Sequence, residues 1–401
     1  MRPYTGSRVL LGVTGGIASY KSAWLARLLT KAGAEVDVVM TRAATEFVGA
    51  VTFEALTGRA VHTGLFDAGR ALDHIKLARE ATAIVVAPAT ADFLARAATG
   101  QADDLLTACL LAARCPVLFV PAMNDQMWAH GQTRLNVAHV RELGYVVLEP
   151  DSGDLAAGEG SGPGRMPEPE TIFSHIGRLL EQRGVLAGRR VLVTAGPTRE
   201  AIDPVRFVSN HSSGRMGVAV ARAAWRRGAV VDLIAGPLSV AAPTGVAMHA
   251  VESTADMAAA VEHLLPDADV LVMAAAPADF RPAKPASTKI KKSAAPAALA
   301  LDPTPDILNA TRAARRPGAV MVGFALETGH AIENAGDKLA AKVLDLIVVN
   351  DATEPGAGFG VDTNRVTLLA RDGSQQCLPL MSKDEVADAI LDRVEELIGG
   401  R

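Results

Sequence analysis

Apolar residues in this chain follow two patterns. Short unbroken runs of Val, Leu and Ile alternate with longer stretches whose apolar positions recur every third or fourth residue, the signatures of doubly buried strands and of helices. Runs at Arg8–Val13, Glu35–Met40, Ala83–Ala87, Val117–Val120 and Val146–Leu148 predict the strands of a first unit. Tyr20–Ala32 carries apolar residues at Trp24, Leu25, Leu28 and Leu29 and predicts a helix stopped by Gly33. A further helix is expected at Glu170–Gln182. The second unit repeats the alternation, with strands expected at Arg190–Thr194, Val230–Ala235, Val270–Ala274, Val320–Ala325 and Leu346–Asn350. Its helices are expected at Met216–Arg227, Thr254–Leu265, Ala331–Val343 and Lys383–Ile398, the last opened by Ser382 and Glu385 at capping-box spacing. Arg365–Leu369 and Cys377–Leu380 flank Asp372-Gly373, a hairpin signal. Strand–helix alternation predicts an α/β fold, with parallel sheets covered by helices on both faces.

Composition agrees with this. Of the 401 residues, 49 % are hydrophobic but only 4 % aromatic, so the cores must be built from Ala, Val, Leu and Ile. The length suggests two or three domains. A net charge of −4 argues against general nucleic-acid binding. Three scattered cysteines, Cys109, Cys115 and Cys377, make neither a disulfide framework nor a metal cluster, which suggests a reducing, cytoplasmic setting. No run reaches the length of a membrane span, and the N-terminus has no signal core. The strongest break in composition is Asp151–Pro169, rich in Gly, Pro and Ser. It reads as a flap of the first domain, because a helix follows it. The junction then falls in Arg183–Gly188, giving domains 1–187 and 188–401.

The chemistry concentrates in loops at strand ends. Thr194–Gly217 lies between a strand and a helix start and is dense in Gly, Pro, Asn and Ser. A loop of this kind presents backbone N–H groups to an anion, with Asn210, His211, Ser212, Ser213 and Arg215 adding side-chain donors. Thr14–Ser19 is the first strand-to-helix turn, and its glycines depart from the dinucleotide GxGxxG spacing, although a mononucleotide phosphate suits it. Met40-Thr41-Arg42 offers no acidic partner for a ribose, which disfavours a nicotinamide-dependent oxidoreductase. Pro88–Asp92 and Pro121–Trp128 are further strand-end loops, and His74 lies just upstream of the Ala83 strand. In the second unit Ala274–Pro282 contains Asp279, and Thr304–Ile307 and Gly323–Ala325 supply two more strand-end loops. Lys284–Lys292 places four lysines in a Pro/Ala/Ser setting and reads either as a solvated basic loop or as a lid over polyphosphate. Lys338 and Lys342 share a helix face, a repulsion that an intervening anion would relieve.

The ordered set GGIASYK, PATAD, PAMNDQMW, GPGRM, TAGPTRE…DPVRFVSNHSSGRMG, AAPADFRP, KIKK, GFALET and KxxxK resembles the bacterial bifunctional phosphopantothenoylcysteine decarboxylase/phosphopantothenate–cysteine ligase family, nearly end to end. The resemblance implies two doubly wound Rossmann-like domains, a flavodoxin-like flavoprotein half and a ligase half with an added β-hairpin. It implies FMN in the first half, its phosphate at Gly15, Gly16 and Ile17 with Thr41 nearby, and its ring near Ala89, Thr90, Ala91 and Asp92. His74 would be the base, and Asn124 would hold the substrate carboxylate. The flavin would oxidise the cysteine thiol of 4′-phosphopantothenoylcysteine to a thioaldehyde, which loses carbon dioxide as a β-keto acid does.

The second half would use CTP and Mg²⁺ to activate 4′-phosphopantothenate as an acyl-cytidylate. Met273, Ala274, Ala275, Asp279, Lys289, Thr304, Pro305, Asp306, Ile307, Phe324, Lys338 and Lys342 would contact the nucleotide. Asp279 would serve the metal, Asn210 would bind the intermediate, and Lys289 would stabilise the transferring phosphoryl group. Trimers of the first half and dimers of the second are implied, with no nucleic-acid or membrane partner. One position departs from the pattern: the family's flap carries a cysteine acid where this chain has Ala157, followed by Glu159. The alternative is therefore an active ligase whose FMN-binding half is impaired in decarboxylation or in the return of electrons.

Overall fold

The computed structural model describes residues 2–65, 72–155, 158, 160–181, 184–291, 298–327, 331–351 and 360–400. Ala157, Glu159 and Lys292 lie outside them. The chain divides into units of residues 1–181 and 182–401.

In the first unit the elements are β1 (Arg8–Val13), α1 (Ser19–Lys31), β2 (Glu35–Met40), α2 (Ala50–Thr57), β3 (Val61–His62), α3 (Asp73–Glu80), β4 (Ala83–Ala89) and α4 (Ala91–Thr99). They continue with α5 (Leu105–Ala112), β5 (Val117–Pro121), α6 (Asp125–Ala129), α7 (Gly131–Glu142), β6 (Val146–Val147), β7 (Asp151–Asp154), β8 (Ser161–Arg165) and α8 (Pro169–Glu181). The sheet is parallel, in the order β3-β2-β1-β4-β5-β6. Both faces are covered. Leu25, Leu29, Phe53, Ile172 and Ile176 pack on one side, and Leu77, Phe93, Leu106 and Val140 on the other. Every residue of β4 is buried, which explains a strand read from an unbroken apolar run.

The second unit runs β9 (Arg190–Ala195), β10 (Arg199–Ala201), β11 (Phe207–Ser209), α9 (Arg215–Arg226), β12 (Val230–Ala235), β13 (Ala247–Ala250), α10 (Thr254–Leu264) and β14 (Val270–Met273). Then come β15 (Phe280–Pro282), β16 (Leu301–Pro303), α11 (Ile307–Ala310), β17 (Val320–Glu327), α12 (Ala331–Ala341) and β18 (Leu346–Asp351). It closes with β19 (Thr363–Asn364), β20 (Val366–Ala370), β21 (Gln375–Cys377), β22 (Met381–Ser382) and α13 (Lys383–Gly399). Its main sheet is ordered β13-β12-β9-β14-β17-β18-β20-β21, parallel through β18 and antiparallel beyond. The parallel part therefore repeats the strand order of the first sheet, although the two halves share no visible sequence repeat. The hairpin around Asp372-Gly373 forms, and Ser382 with Glu385 closes a capping box.

Two stretches that read as irregular loops are antiparallel ribbons. β10 pairs with β11 inside Thr194–Gly217, and β7 pairs with β8 inside the flap. Neither is apolar enough to announce itself. The first is held by Asp203, whose Oδ1 accepts the N–H groups of Val205 and Arg206 at 2.9 Å and shapes the turn. The second is held from outside, as shown below. Among the described residues no helix is long and apolar enough to cross a membrane.

Candidate active sites

A parallel sheet of this order reverses its winding between the first and fourth strands, and ligands collect outside the strand ends there. In the first unit that point lies between β1 and β4. A cavity of about 370 Å³ opens at it, lined by Gly15, Gly16, Ile17, Lys21, Thr90, Ala91, Met123, Asn124, Asp154, Gly164 and Met166 among others. Thr14 fastens the two loops together, donating from Oγ1 to the Pro88 carbonyl at 2.7 Å and accepting from the Thr90 N–H. Ser19 Oγ donates to the carbonyls of Thr14 and Gly16 and sets the entry into α1. A Cβ at Gly15 would lie 2.4 Å from that of Ala43, so only glycine lets the turn seat against its neighbour.

Of the other expected residues, Asn124 caps α6 by accepting the Gln126 N–H. Thr41 begins the loop behind Gly15, accepting the Ala44 N–H. Ala89 is buried in β4, and Asp92 points to Arg96, 3.8 Å away, so neither lines the cavity. His74 lies elsewhere. With Leu65, Ile75, Ala102, Ala108, Leu111 and Ala112 it lines a separate cavity of about 450 Å³ that shares no lining residue with the first. Its Nδ1 is buried without a hydrogen-bond partner. Cys109 lines neither cavity, and burial pushes its thiol up to about 12.

The flap root is fixed to this site by close contacts. Met123 N–H donates to the Gly164 carbonyl at 3.0 Å, and Lys21 Nζ donates to the Met166 carbonyl and to Glu168. Sequence reading missed Lys21 as more than part of a motif; the signal is a lysine buried to 6 % exposure on an amphipathic helix. Gly162 and Gly164, two apart on one strand face, pack on Asp125 and Met123. At Gly164, with φ 142°, an added Cβ would sit 2.2 Å from the Met123 oxygen. Gly164→Ala is therefore expected to destabilise the first unit by about 1–3 kcal/mol. Heat unfolding followed by circular dichroism checks this, and an unchanged midpoint would mean that the contact carries no weight.

The second unit has its switch point between β9 and β14. A cavity of about 220 Å³ there is lined by Met273, Ala275, Pro277, Asp279, Thr304, Pro305, Asp306, Ile307, Phe324 and Lys342 among others. Thr194 Oγ1 accepts the Ala275 N–H, and Asp279 O accepts the Thr304 N–H at 2.9 Å, joining loops distant in sequence. Glu200, buried, accepts both the N–H and the hydroxyl of Thr254 at 2.8 Å, and Thr198 accepts the Ala278 N–H, so the β10 ribbon braces the same loop. Lys342 Nζ lies 3.1 Å from Asp306 Oδ2; the anion beside this lysine is a carboxylate of the chain itself. Lys338 is exposed one helical turn earlier. Ala274 and Lys289 are not among the lining residues.

Asn210 reaches this wall from the ribbon, its Nδ2 donating to the carbonyls of Ala276 and Pro277 at 3.2 and 3.0 Å. The lysine segment is tied to the same ribbon. Ala286 N–H donates to the Ile202 carbonyl, Ile290 N–H to Asp203 Oδ2 at 3.1 Å, and Arg206 to the Ile290 carbonyl. Arg206 beside Asp203 holds that carboxyl well below the usual range. Lys289, next to this anchor, is exposed. Arg215, expected to offer its fork to an anion, pairs with Asp362. Among the described residues no three His, Cys, Asp or Glu side chains group as a metal site.

Comparison with known proteins places the chain. Residues 186–398 match the model of the DNA/pantothenate metabolism flavoprotein C-terminal domain, and residues 1–181 match that of the flavoprotein family. The coenzyme A biosynthesis bifunctional protein CoaBC of Mycolicibacterium smegmatis is 50 % identical over 402 residues, covering 96 % of this chain and 97 % of the relative. The protein of that name from Vibrio cholerae is 42 % identical over 400 residues, covering 99 % of this chain and 100 % of the relative. A crystal structure of the C-terminal domain of coenzyme A biosynthesis bifunctional protein CoaBC superposes with a TM-score of 0.47 at 38 % identity, over 54 % of this chain and 100 % of that one.

Proposed function

The chain belongs to the family of bifunctional coenzyme A biosynthesis proteins, an enzyme with ligase and decarboxylase activities, and on that premise we propose how its two halves divide the work. The second half joins cysteine to 4′-phosphopantothenate. A carboxylate resists attack by an amine, so it is activated first. A carboxylate oxygen attacks the α-phosphoryl group of CTP and pyrophosphate leaves; the cysteine amine then displaces CMP from the acyl carbon. The nucleotide lies against Met273, Ala275, Phe324 and the Thr304–Ile307 turn. Lys338 and Lys342 meet its phosphates, Lys289 meets the transferring phosphoryl group, and Asn210 meets the acyl-cytidylate. Mg²⁺ fits Asp279 together with the triphosphate, since this ion is commonly held by one or two carboxylates plus substrate phosphates, and it would neutralise charge there.

The first half decarboxylates the product of the second. FMN fits its cavity: a glycine turn at a helix N-terminus suits the phosphate, and Pro88, Ala91, Ala122, Met123 and Met127 offer an apolar wall to the ring. When bound, the flavin supplies the redox chemistry that turns the cysteine carboxylate into a leaving group. Asn124 holds that carboxylate and the neighbouring amide, and His74 accepts the thiol proton. We place this chemistry in the cytoplasm, where Cys109, Cys115 and Cys377, all free, remain reduced.

The observation that most supports this reading is that each cavity lies at a switch point and holds part of the set its reaction needs: glycines and Asn124 in one, Asp279, Asp306 and Lys342 in the other. Yellow purified protein given phosphopantothenate, CTP, Mg²⁺ and cysteine is expected to release both pyrophosphate and carbon dioxide. Pyrophosphate alone would leave only the ligase, and neither product would overturn the proposal.

His74 and Asn124 line different cavities, so we assign the front reaction to an assembly in which one copy lends His74 to the cavity of another. Trimers would do this. In the second half, exposed Val205, Phe207, Phe280 and Leu301 offer an apolar surface for pairing as dimers. Coexpressed His74→Asn and Asn124→Ala chains, each inactive alone, are expected to recover about a quarter of the decarboxylase activity, the fraction of sites drawing an intact residue from each parent. Failure to recover any would mean that both residues act within one chain.

A further inference from the structure

Just past the end of α12 the backbone takes an unusual conformation, one residue after Lys342 of the rear cavity. Val343 has φ 51°, the one non-glycine residue with positive φ among the described residues. A β-branched side chain there is an outlier that its surroundings must hold in place. The turn is of the helix-terminating kind: Val343 N–H donates to the Ala340 carbonyl and Leu344 N–H to that of Leu339. Glycine usually takes this position, so valine needs an outside restraint.

Arg315 supplies it. Its Nη1 donates to the carbonyls of Lys342 and Val343 at 3.0 and 2.9 Å, and its Nη2 to that of Leu308 at 2.8 Å. One guanidinium thus joins the C-terminus of α12 to α11. Both adjoin cavity walls: Lys342 directly follows the first, and Ile307 and Leu308, next to Asp306, lie on the second. Arg371 steadies the same turn by donating to the Leu344 carbonyl at 2.9 Å, but does not reach α11 in this way. Two cations at a helix C-terminus also complement its dipole.

We infer that Arg315 is a positioning residue of the nucleotide site: it fixes Lys342 opposite Asp306 by holding α12 in a turn that valine disfavours. The inference rests on the nucleotide reading given above. Arg315 itself touches no substrate; it sets the spacing of groups that do.

Arg315→Met is expected to raise KM for CTP by about 10- to 100-fold, with KM for cysteine unchanged. Arg315→Lys keeps the charge at the helix end but lacks the fork; it carries the same expectation should the methionine variant fail to fold. Val343→Gly in the same chain is expected to restore much of the CTP affinity, because glycine adopts the turn without restraint. A role in stability alone would lower the melting temperature and the active fraction while leaving KM for CTP in place, and that result would overturn the inference. So would an absence of rescue by glycine. Lys342→Ala separates the two levels. If it leaves KM for CTP unchanged, the nucleotide reading fails; if it raises KM while both Arg315 variants do not, only the inference about Arg315 fails.

Discussion

Lys289→Gln is expected to lower kcat for ligation by about 10²- to 10³-fold, the usual cost of removing one preorganised group from a site of developing charge. The expectation comes from how the segment is held. Ile290 is fixed through both backbone groups, its N–H to Asp203 and its carbonyl to Arg206, and Ala286 is fastened to Ile202. Lys289 therefore projects from an anchored base, and its ammonium can meet a phosphoryl group with little further ordering. Glutamine keeps a polar side chain, one bond shorter, and loses the charge. Decarboxylation of added phosphopantothenoylcysteine should be unaffected, because that cavity belongs to the other unit, and this serves as the internal control. Pyrophosphate release measured against carbon dioxide release from each substrate checks the claim. A fall of less than threefold would assign the phosphoryl charge to another group.

Ala157→Cys is expected to raise the yield of 4′-phosphopantetheine by about 100-fold, the lower end of the range for a positioned proton donor. An alanine cannot give a proton. In the parent chain carbon dioxide should therefore appear together with an oxidised enethiol, lighter than phosphopantetheine by two hydrogens. Product mass with and without the cysteine separates the cases. Full conversion by the parent chain, with no gain from cysteine, would mean that another donor such as Glu159 or water already serves.

Much of the fold is legible because burial on both faces leaves strands with no polar alternation. β1, β4, β9 and β14 could be read as runs, and their loops fall at the carboxyl edge by topology alone. The ribbons at Arg199–Ser209 and Asp151–Arg165 could not be read this way. Their pairing depends on Asp203, on Gly162 and Gly164 packed against a loop some forty positions upstream in sequence, and on Lys21 farther still. No local period records such contacts. The rear cavity was legible as separate motifs, and the structure adds which of them meet. His74 was read as a base beside the substrate, and the separate cavity that it lines turns that reading into a question about neighbouring copies. Arg315 gave no signal, because its partners are backbone carbonyls, which any residue type supplies.

The outermost strands of the first sheet, β3 and β6, are two residues long, and those of the second main sheet, β13 and β21, are four and three. Rims this brief give another polypeptide little backbone to template on. Copies of this enzyme should accordingly recognise one another through side-chain surfaces rather than by continuing a β-ladder, a safeguard against fibrillar growth in a protein built on parallel sheets, whose distant pairings are intrinsically slow to close.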